Sequence, residues 1–246
     1  MPCPRRDNMN NSKDNQRADK TQAVQTMFTR IAPRYDLMNR LMTGGQDIAW
    51  RRQVIRLASL PPGGKLLDLG AGTGDLCLEA LRQQPTCLPI AADFTLEMMR
   101  VGRTRPEPGI ERLNWCAADG LEIPFASNTF DAVISGFLLR NVTDVRGCLA
   151  EQRRVLKPGG RLVALDTTPP PASPLTPLIR IHLHTIIPTL GGLITGEKEA
   201  YRYLPNTTEG FLQPEQLASR LDETGFQSVR FRRYMFGMVA IYWGIK

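Results

Sequence analysis

Lys65-Leu66-Leu67-Asp68-Leu69-Gly70-Ala71-Gly72-Thr73-Gly74-Asp75 is the stretch that decides the fold. Leu66, Leu67 and Leu69 follow the turn-forming Pro61-Pro62-Gly63-Gly64 and predict a short strand, and Leu76, Leu78 and Leu81 predict the helix after it. The glycines therefore occupy a strand-to-helix turn. Without a Cβ the backbone turns tightly and a ligand can come close, while the free N–H groups of the helix start face the same point. Spacing sorts the ligands. A dinucleotide fingerprint needs glycine at 70, 72 and 75, but residue 75 is Asp; a Walker loop needs Gly-Lys-Ser/Thr after the run, and none follows. What is left is acid-x-Gly-x-Gly-x-Gly.

That pattern resembles the first motif of class I S-adenosylmethionine-dependent methyltransferases. Such a ligand has no phosphates, so carboxylates must receive its amino group and ribose hydroxyls. Downstream, Cys87 to Ala92 predicts a second strand ending at Asp93, where an acid meets ribose hydroxyls in doubly wound sheets. Phe94 and Met98 can sandwich an adenine ring, or simply pack in the core. A third strand, Leu113 to Ala117, leads to Asp119, placed to accept from the adenine amino group, and to Gly120, which keeps the backbone close. Phe130 to Gly136 is the fourth strand, with Phe137 to Asn141 beyond its ligand-facing end. A helix capped by Asp144 stops at Lys157-Pro158-Gly159-Gly160, and Arg161 to Asp166 is the fifth strand.

Upstream, Val24, Met27, Phe28 and Ile31 share one helical face, stopped near Pro33; a further helix spans Ile48 to Leu60. Residues 20–60 are expected to lie over the ligand edge as a helical lid, with Tyr35, Asp36 and Asn39 either at a helix start or against a ligand. Residues 1–19, polar and basic, are expected to be a disordered tail. After Pro169-Pro170-Pro171, residues 175–212 read as an insertion with an apolar helix near Leu178 to Ile187 and a turn at Gly191-Gly192. Pro214 to Thr224 is a helix, and Val229 to Tyr234 with Met238 to Trp243 form an antiparallel pair at one sheet edge. The expected fold is α/β: one domain over 20–246, a doubly wound, mostly parallel seven-stranded sheet with helices on both faces.

A net charge of +7 over 246 residues permits attraction to nucleic acid or an anionic membrane, although spread along helices it reads as an ordinary solvated surface. The five cysteines show no Cys-x-x-Cys pair, so neither zinc nor a disulfide framework is expected, and a reducing cytoplasm fits. The most apolar stretch, Leu175 to Ile194, contains Arg180, His182, His184 and Pro188, so no membrane span is expected. With no third imidazole in the chain, the two histidines read as surface or packing residues rather than a metal pair.

The separated motifs agree on one family. Tyr35-Asp36-x-Met38-Asn39, the glycine run, Leu139-Arg140-Asn141-Val142-Thr143-Asp144, Arg154 to Arg161, Ala200-Tyr201-Arg202-Tyr203-Leu204-Pro205 and Phe236 to Ala240 make the chain, from Val24 to Lys246, resemble the ubiquinone/menaquinone-biosynthesis C-methyltransferases. The resemblance implies a Rossmann-like methyltransferase fold and methylation of a ring carbon of a polyprenylated hydroquinone by S-adenosylmethionine, without metal. It implies donor contacts at Asp68, Gly70, Gly72, Thr73, Gly74, Asp93, Phe94, Asp119, Gly120 and Gly136, and substrate contacts at Tyr35, Arg140 and Asn141. Arg140 would stabilise the ring oxyanion, Asn141 would orient the ring oxygen, Tyr35 would hold the ring or relay a proton, and a held water or Asp36 would take that proton. The expected partners are the quinol, a membrane surface met peripherally through Ile179, Ile186 and Ile187, and a second copy as a homodimer; nucleic acid is not expected, because no Asn/Asp-Pro-Pro-aromatic run follows the fourth strand. The alternative is a donor-binding accessory protein with weak catalysis. Three departures bear on the site: Gly136 where the family has Ser, Leu138 where it has Gly, and Asp166-Thr167 where it has Glu-Phe.

Overall fold

The computed structural model describes residues 22–196 and 198–246; the expected disordered tail lies outside them. Residues 22–31 form α1, and a tight turn at Ala32–Arg34, forced by Pro33, leads into α2 (Tyr35–Thr43) and α3 (Gln46–Ala58). Strand and helix then alternate: β1 (Lys65–Leu69), α4 (Asp75–Gln83), β2 (Leu88–Asp93), α5 (Leu96–Arg103), β3 (Asn114–Ala117), β4 (Phe130–Gly136), α6 (Val145–Val155) and β5 (Leu156–Thr167). The C-terminal part adds α7 (Thr176–Ile181), a π-wound segment His182–Ile186, α8 (Ile187–Thr195), α9 (Lys198–Glu209), α10 (Pro214–Glu223), β6 (Gln227–Tyr234) and β7 (Val239–Ile245).

The sheet has seven strands in the order β3-β2-β1-β4-β5-β7-β6. β1 to β5 pair in parallel, and β7 runs antiparallel between β5 and β6. Side-chain alternation explains the two cores. Leu66 joins Val54, Ile55, Cys77 and Leu78 of α3 and α4, whereas Leu67 and Leu69 join Cys148 and Leu149 of α6 and Leu217 and Leu221 of α10. All of these are essentially removed from water, which at about 25 cal/mol per Å² of apolar surface is the main force holding the layers together.

Three readings of the sequence change. The Lys157-Pro158-Gly159-Gly160 run does not end a helix ahead of a separate strand. It lies inside β5 as a bulge, where the register jumps from Phe130↔Leu156 to Ala132↔Arg161; Gly159, at φ +77°, donates to the Lys246 carbonyl at 3.0 Å. Gly191-Gly192 is not a turn but part of α8, because a Cβ at Gly191 would collide with the Tyr201 ring of α9. The expected lid also divides: α1 and α2 reach the ligand edge, whereas Trp50, Val54, Ile55 and Ala58 of α3 are buried in the core on one sheet face.

Candidate active site

Strand order reverses at β1, whose neighbours are β2 and β4, so the carboxyl ends of these strands frame a crevice of the kind where open α/β sheets bind ligands. The glycine run builds its floor. Gly70 and Ala71 donate N–H to the Ala92 carbonyl at 2.8 and 3.0 Å, tying the turn to β2. Gly70, Gly72 and Gly74 have φ of +72°, +58° and +89°, the left-handed region that a side chain rarely enters. A Cβ on Gly72 would also stand 3.1 Å from Met98 Cε, filling the cradle.

The cleft encloses about 610 Å³ of empty space, its open mouth included, lined by Gly70, Gly72, Asp93, Phe94, Met98, Ala118, Gly120, Gly136, Phe137, Leu138, Asn141 and, from the N-terminal helices, Val24, Phe28 and Tyr35. Asp93 is aimed by two backbone donors, with Gly72 N on Oδ2 and Thr95 N on Oδ1, both at 2.7 Å. Each oxygen keeps a further lone pair, and the carboxylate, 8 % exposed, is a charged acceptor in an otherwise mostly apolar cleft. Burial raises its pKa, opposed by these backbone bonds. With Phe94 and Met98 beside it, this donor set fits an adenosine.

The remaining expected donor residues are placed less directly. Asp119 is exposed and caps its own turn by accepting from Leu121 N at 2.9 Å, while Gly120 lines the cleft and packs against Cys148, which a Cβ would approach to 3.1 Å. Thr73 is buried, and its hydroxyl donates to Asp36 Oδ1 at 2.8 Å. Ser135 is buried at 1 % exposure, so nothing from it replaces a hydroxyl at Gly136. Leu138 lines the cleft and leans over Gly70, its Cδ1 3.0 Å from where a Cβ would stand, which narrows the cleft as its replacement of glycine predicts.

Asp68 lies fully buried under the floor, with Oδ1 unpartnered among the described residues and Oδ2 accepting from the Cys77 thiol at 3.6 Å. Burial pushes its pKa up to about 7. Between pH about 4 and 7 the folded protein keeps a proton that the unfolded chain has lost, so stability falls as pH rises through this window and levels off above it. The full effect is on the order of 4 kcal/mol. Urea unfolding of Asp68→Asn at pH 5 and pH 8 should therefore show a much smaller loss across the window than the native chain; an equal loss would mean that Asp68 is ionised in the fold.

A chain of ion pairs, missed from the sequence, fastens the N-terminal helices to the glycine turn. Asp75 at the start of α4 holds Arg105 at 2.6 Å and Arg51 of α3 at 2.9 Å; Arg105 also reaches Asp36 of α2 at 3.3 Å, and Arg51 pairs with Asp47, which is buried. The arginines hold Asp75 below the usual carboxylate range, while burial and the Asp75 charge raise Asp36. The i,i+4 spacing of Asp47 and Arg51 was the available signal.

Beyond β4 the backbone bends sharply at Phe137, which has φ +60°. Phe137 lines both the Asp93 cleft and a second, apolar pocket of about 550 Å³ that includes Trp50, Leu183, Ile187, Met238, Asn39, His182 and Arg140. The Arg140 guanidinium lies 5.0 Å from the Phe137 ring centroid. Its charge is not bare: Nη1 pairs with Asp166 Oδ1 at 2.6 Å, side-chain exposures being 4 % and 1 %, while Nε has no partner among the described residues. Asn141 donates to the Phe137 carbonyl at 2.9 Å and accepts from the Tyr203 hydroxyl at 3.3 Å. Tyr35 borders the donor cleft and a smaller cavity shared with Arg140 and Asn141; burial raises its hydroxyl pKa, partly offset by Asn39 and Arg140.

The profile of the ubiE/COQ5 methyltransferase family matches residues 14–246. The ubiquinone/menaquinone biosynthesis C-methyltransferase UbiE of Desulfotalea psychrophila is 42 % identical over 227 residues, 92 % of each chain. The demethylmenaquinone methyltransferase of Thermus thermophilus is 42 % identical over 218 residues, 89 % of this chain and 99 % of that one. Among solved structures, the [4+2]-cyclase SpnF shares the fold with a TM-score of 0.67 at 17 % identity, covering 92 % of this chain and 96 % of its own. A methyltransferase of Thermotoga maritima does so at 0.63 and 17 %, covering 90 % and 99 %. The family profile thus runs through the glycine turn, the Asp93 cleft and the Arg140 pocket alike, and the chain belongs to the ubiE/COQ5 methyltransferase family.

Proposed function

We propose that this chain methylates a ring carbon of a polyprenylated hydroquinone. The observation that carries the reading is the adjacency of two unlike chambers, a nucleoside-sized cleft with an aimed carboxylate and an apolar pocket holding an arginine, with Phe137 lining both. S-adenosylmethionine supplies an electrophilic methyl group on a sulfonium. In this reading Asp93 receives the ribose hydroxyls, Phe94 and Met98 flank the adenine, and the turn from Gly70 to Gly74 brings backbone close, with Thr73 locked to Asp36 below. Gly120 and Gly136 leave room at the edges. Asp119 and Asp68 act through the shape of their turns.

A neutral hydroquinone carbon is a weak nucleophile, and loss of a phenolic proton moves electron density onto it. Arg140 meets the developing oxyanion through its unpartnered Nε–H. Because Asp166 neutralises the guanidinium, that help is a directed hydrogen bond in a water-poor pocket, not the field of a bare cation. Asn141 and Tyr35 hold the ring from the side shared with the donor cleft. Positioning carbon, methyl and sulfur in line can contribute roughly 7–11 kcal/mol. Residues 22–43 act as the lid and 176–209 as the substrate side of a single domain.

Incubating the protein with labelled S-adenosylmethionine and, separately, reduced demethylmenaquinone, the demethylated benzoquinol precursor and bulk RNA tests this. Label on a quinol is expected. Label on RNA alone overturns the reading, and donor binding without any transfer replaces it with an accessory role.

The prenyl chain gives α7 and α8 a task. No described helix is long and apolar enough to cross a membrane, but Leu178, Ile181, Ile186 and Leu193 are 65, 53, 43 and 79 % exposed on this segment. Of the three isoleucines expected to face lipid, Ile179 and Ile187 are instead buried, and only Ile186 is outward. We infer a peripheral membrane contact through the exposed set. Changing Leu178, Ile181 and Leu193 to Ser should lower sedimentation with anionic liposomes by at least about tenfold, since each apolar side chain is worth up to about 1.5–3 kcal/mol when buried; unaltered sedimentation would remove the contact.

A further inference from the structure

Asn39 Nδ2, Arg140 Nε and His182 Nε2 are buried polar atoms without a hydrogen-bond partner among the described residues, and all three belong to residues lining the apolar pocket beside Phe137. A buried donor or acceptor left unpaired is costly, so three gathered on one cavity point to a ligand whose oxygens complete them. Asn39 and Arg140 are 7 and 8 % exposed, and their unpaired atoms can only donate. His182 differs: it opens the π-wound segment His182–Ile186, and an imidazole nitrogen can accept a proton and return it. Single π turns of this kind recur at functional sites.

We propose that His182 Nε2 is a catalytic residue of this enzyme, the base that takes the proton of the ring hydroxyl. The proposal rests on the quinol reading above. Two donors and one proton acceptor match a phenol on its way to phenolate. The O–H bond breaks, its proton passes to Nε2 and its electron pair, delocalised onto the adjacent ring carbon, forms the new C–C bond as the methyl–sulfur bond breaks with its pair left on sulfur. The hydrogen on that ring carbon then leaves as a proton to solvent, and the imidazolium returns its own proton to the ring oxygen. One proton is released overall and nothing is oxidised or reduced.

The other candidates are engaged elsewhere. Asp36 accepts from Thr73, pairs with Arg105 and lines a cavity on the glycine-turn side, not this pocket. The raised Tyr35 hydroxyl holds its proton. Among the described residues, Arg140, paired with Asp166, lines the same pocket, Arg180 and His184 lie on the same helical run, Tyr201 and Tyr203 stand on α9, and His184 is paired with Glu209 of α9 at 3.0 Å. The pocket-lining residues of α2, α3 and the 235–239 segment are Asn39, Met42, Thr43, Trp50, Met235, Met238 and Val239, none of them titratable near neutrality.

The test is steady-state methylation of a reduced demethylquinol by the full chain, with donor affinity and unfolding midpoint measured alongside. His182→Gln should keep donor affinity and unfolding midpoint and lower kcat by about a hundredfold, within the usual range for a lost general base. His182→Ala should be partly rescued by added imidazole. If the native chain methylates a quinol while His182→Gln retains kcat, or if imidazole restores nothing to His182→Ala, the base assignment fails and the quinol reading stands. If the native chain methylates no quinol, the quinol reading itself fails and takes this assignment with it.

Discussion

Arg140→Ala is expected to lower kcat at saturating donor by at least about a hundredfold while leaving donor affinity nearly unchanged. The rate loss follows from removing one preformed donor at the place where ring oxygen becomes negative, an interaction commonly worth 10²–10³ in turnover. The same change has a structural cost. Asp166 is buried at 0 % exposure, and its ion pair with Arg140 is sealed from water. Breaking a buried pair from one side typically costs about 3–5 kcal/mol, here softened because backbone N–H groups of Arg140 and Thr167 still reach the carboxylate at 3.2 and 2.8 Å. Adding Asp166→Asn to Arg140→Ala separates the two effects: the double variant should regain most of the lost stability and none of the lost turnover. Stopped turnover in the single variant with full recovery in the double would show that the guanidinium only neutralises Asp166, and unchanged turnover in the single variant would remove Arg140 from the chemistry.

Asp93→Ala should do the opposite, weakening donor binding first. The carboxylate offers hydrogen bonds to hydroxyls, and charged hydrogen bonds contribute about 1.5–3 kcal/mol each. It also fixes Gly72 N and Thr95 N from either side of the cleft, so its loss frees two backbone donors and loosens the floor. Titration calorimetry should show donor Kd raised by more than about tenfold, with kcat recovering substantially at high donor concentration. Full affinity would overturn the ribose assignment.

The strands and the glycine turn were legible because local chemistry writes them. Apolar runs bounded by Pro-Gly turns have one reading, and Asp144 caps α6 as its position predicts, accepting from Gly147 N at 3.0 Å. The place of Asp93 at the end of β2 was legible for the same reason, since the apolar run before it stops there. What escaped depends on partners far apart in the chain. Arg140 looks like a free cation until β5 delivers Asp166, 26 residues later, to its side. Gly191-Gly192 reads as a turn until Tyr201 supplies a reason for a smooth helical surface there. His182 reads as a packing residue until the pocket around it is seen to contain other polar atoms without partners.

The ion pairs between the N-terminal helices and the glycine turn carry a consequence for how this sequence can drift. Asp36, Arg40, Asp47, Arg51, Asp75 and Arg105 lie on four separate helical or loop segments and share partners, so that among the described residues only the loss of Arg105 leaves a member, Asp36, with no opposite charge. Change at Arg105 should therefore be the rarest of these among descendants of this chain. Where Arg105 does change, a compensating change is expected at Asp36 of α2, whereas the other four positions can vary one at a time because a second counter-ion stays in place.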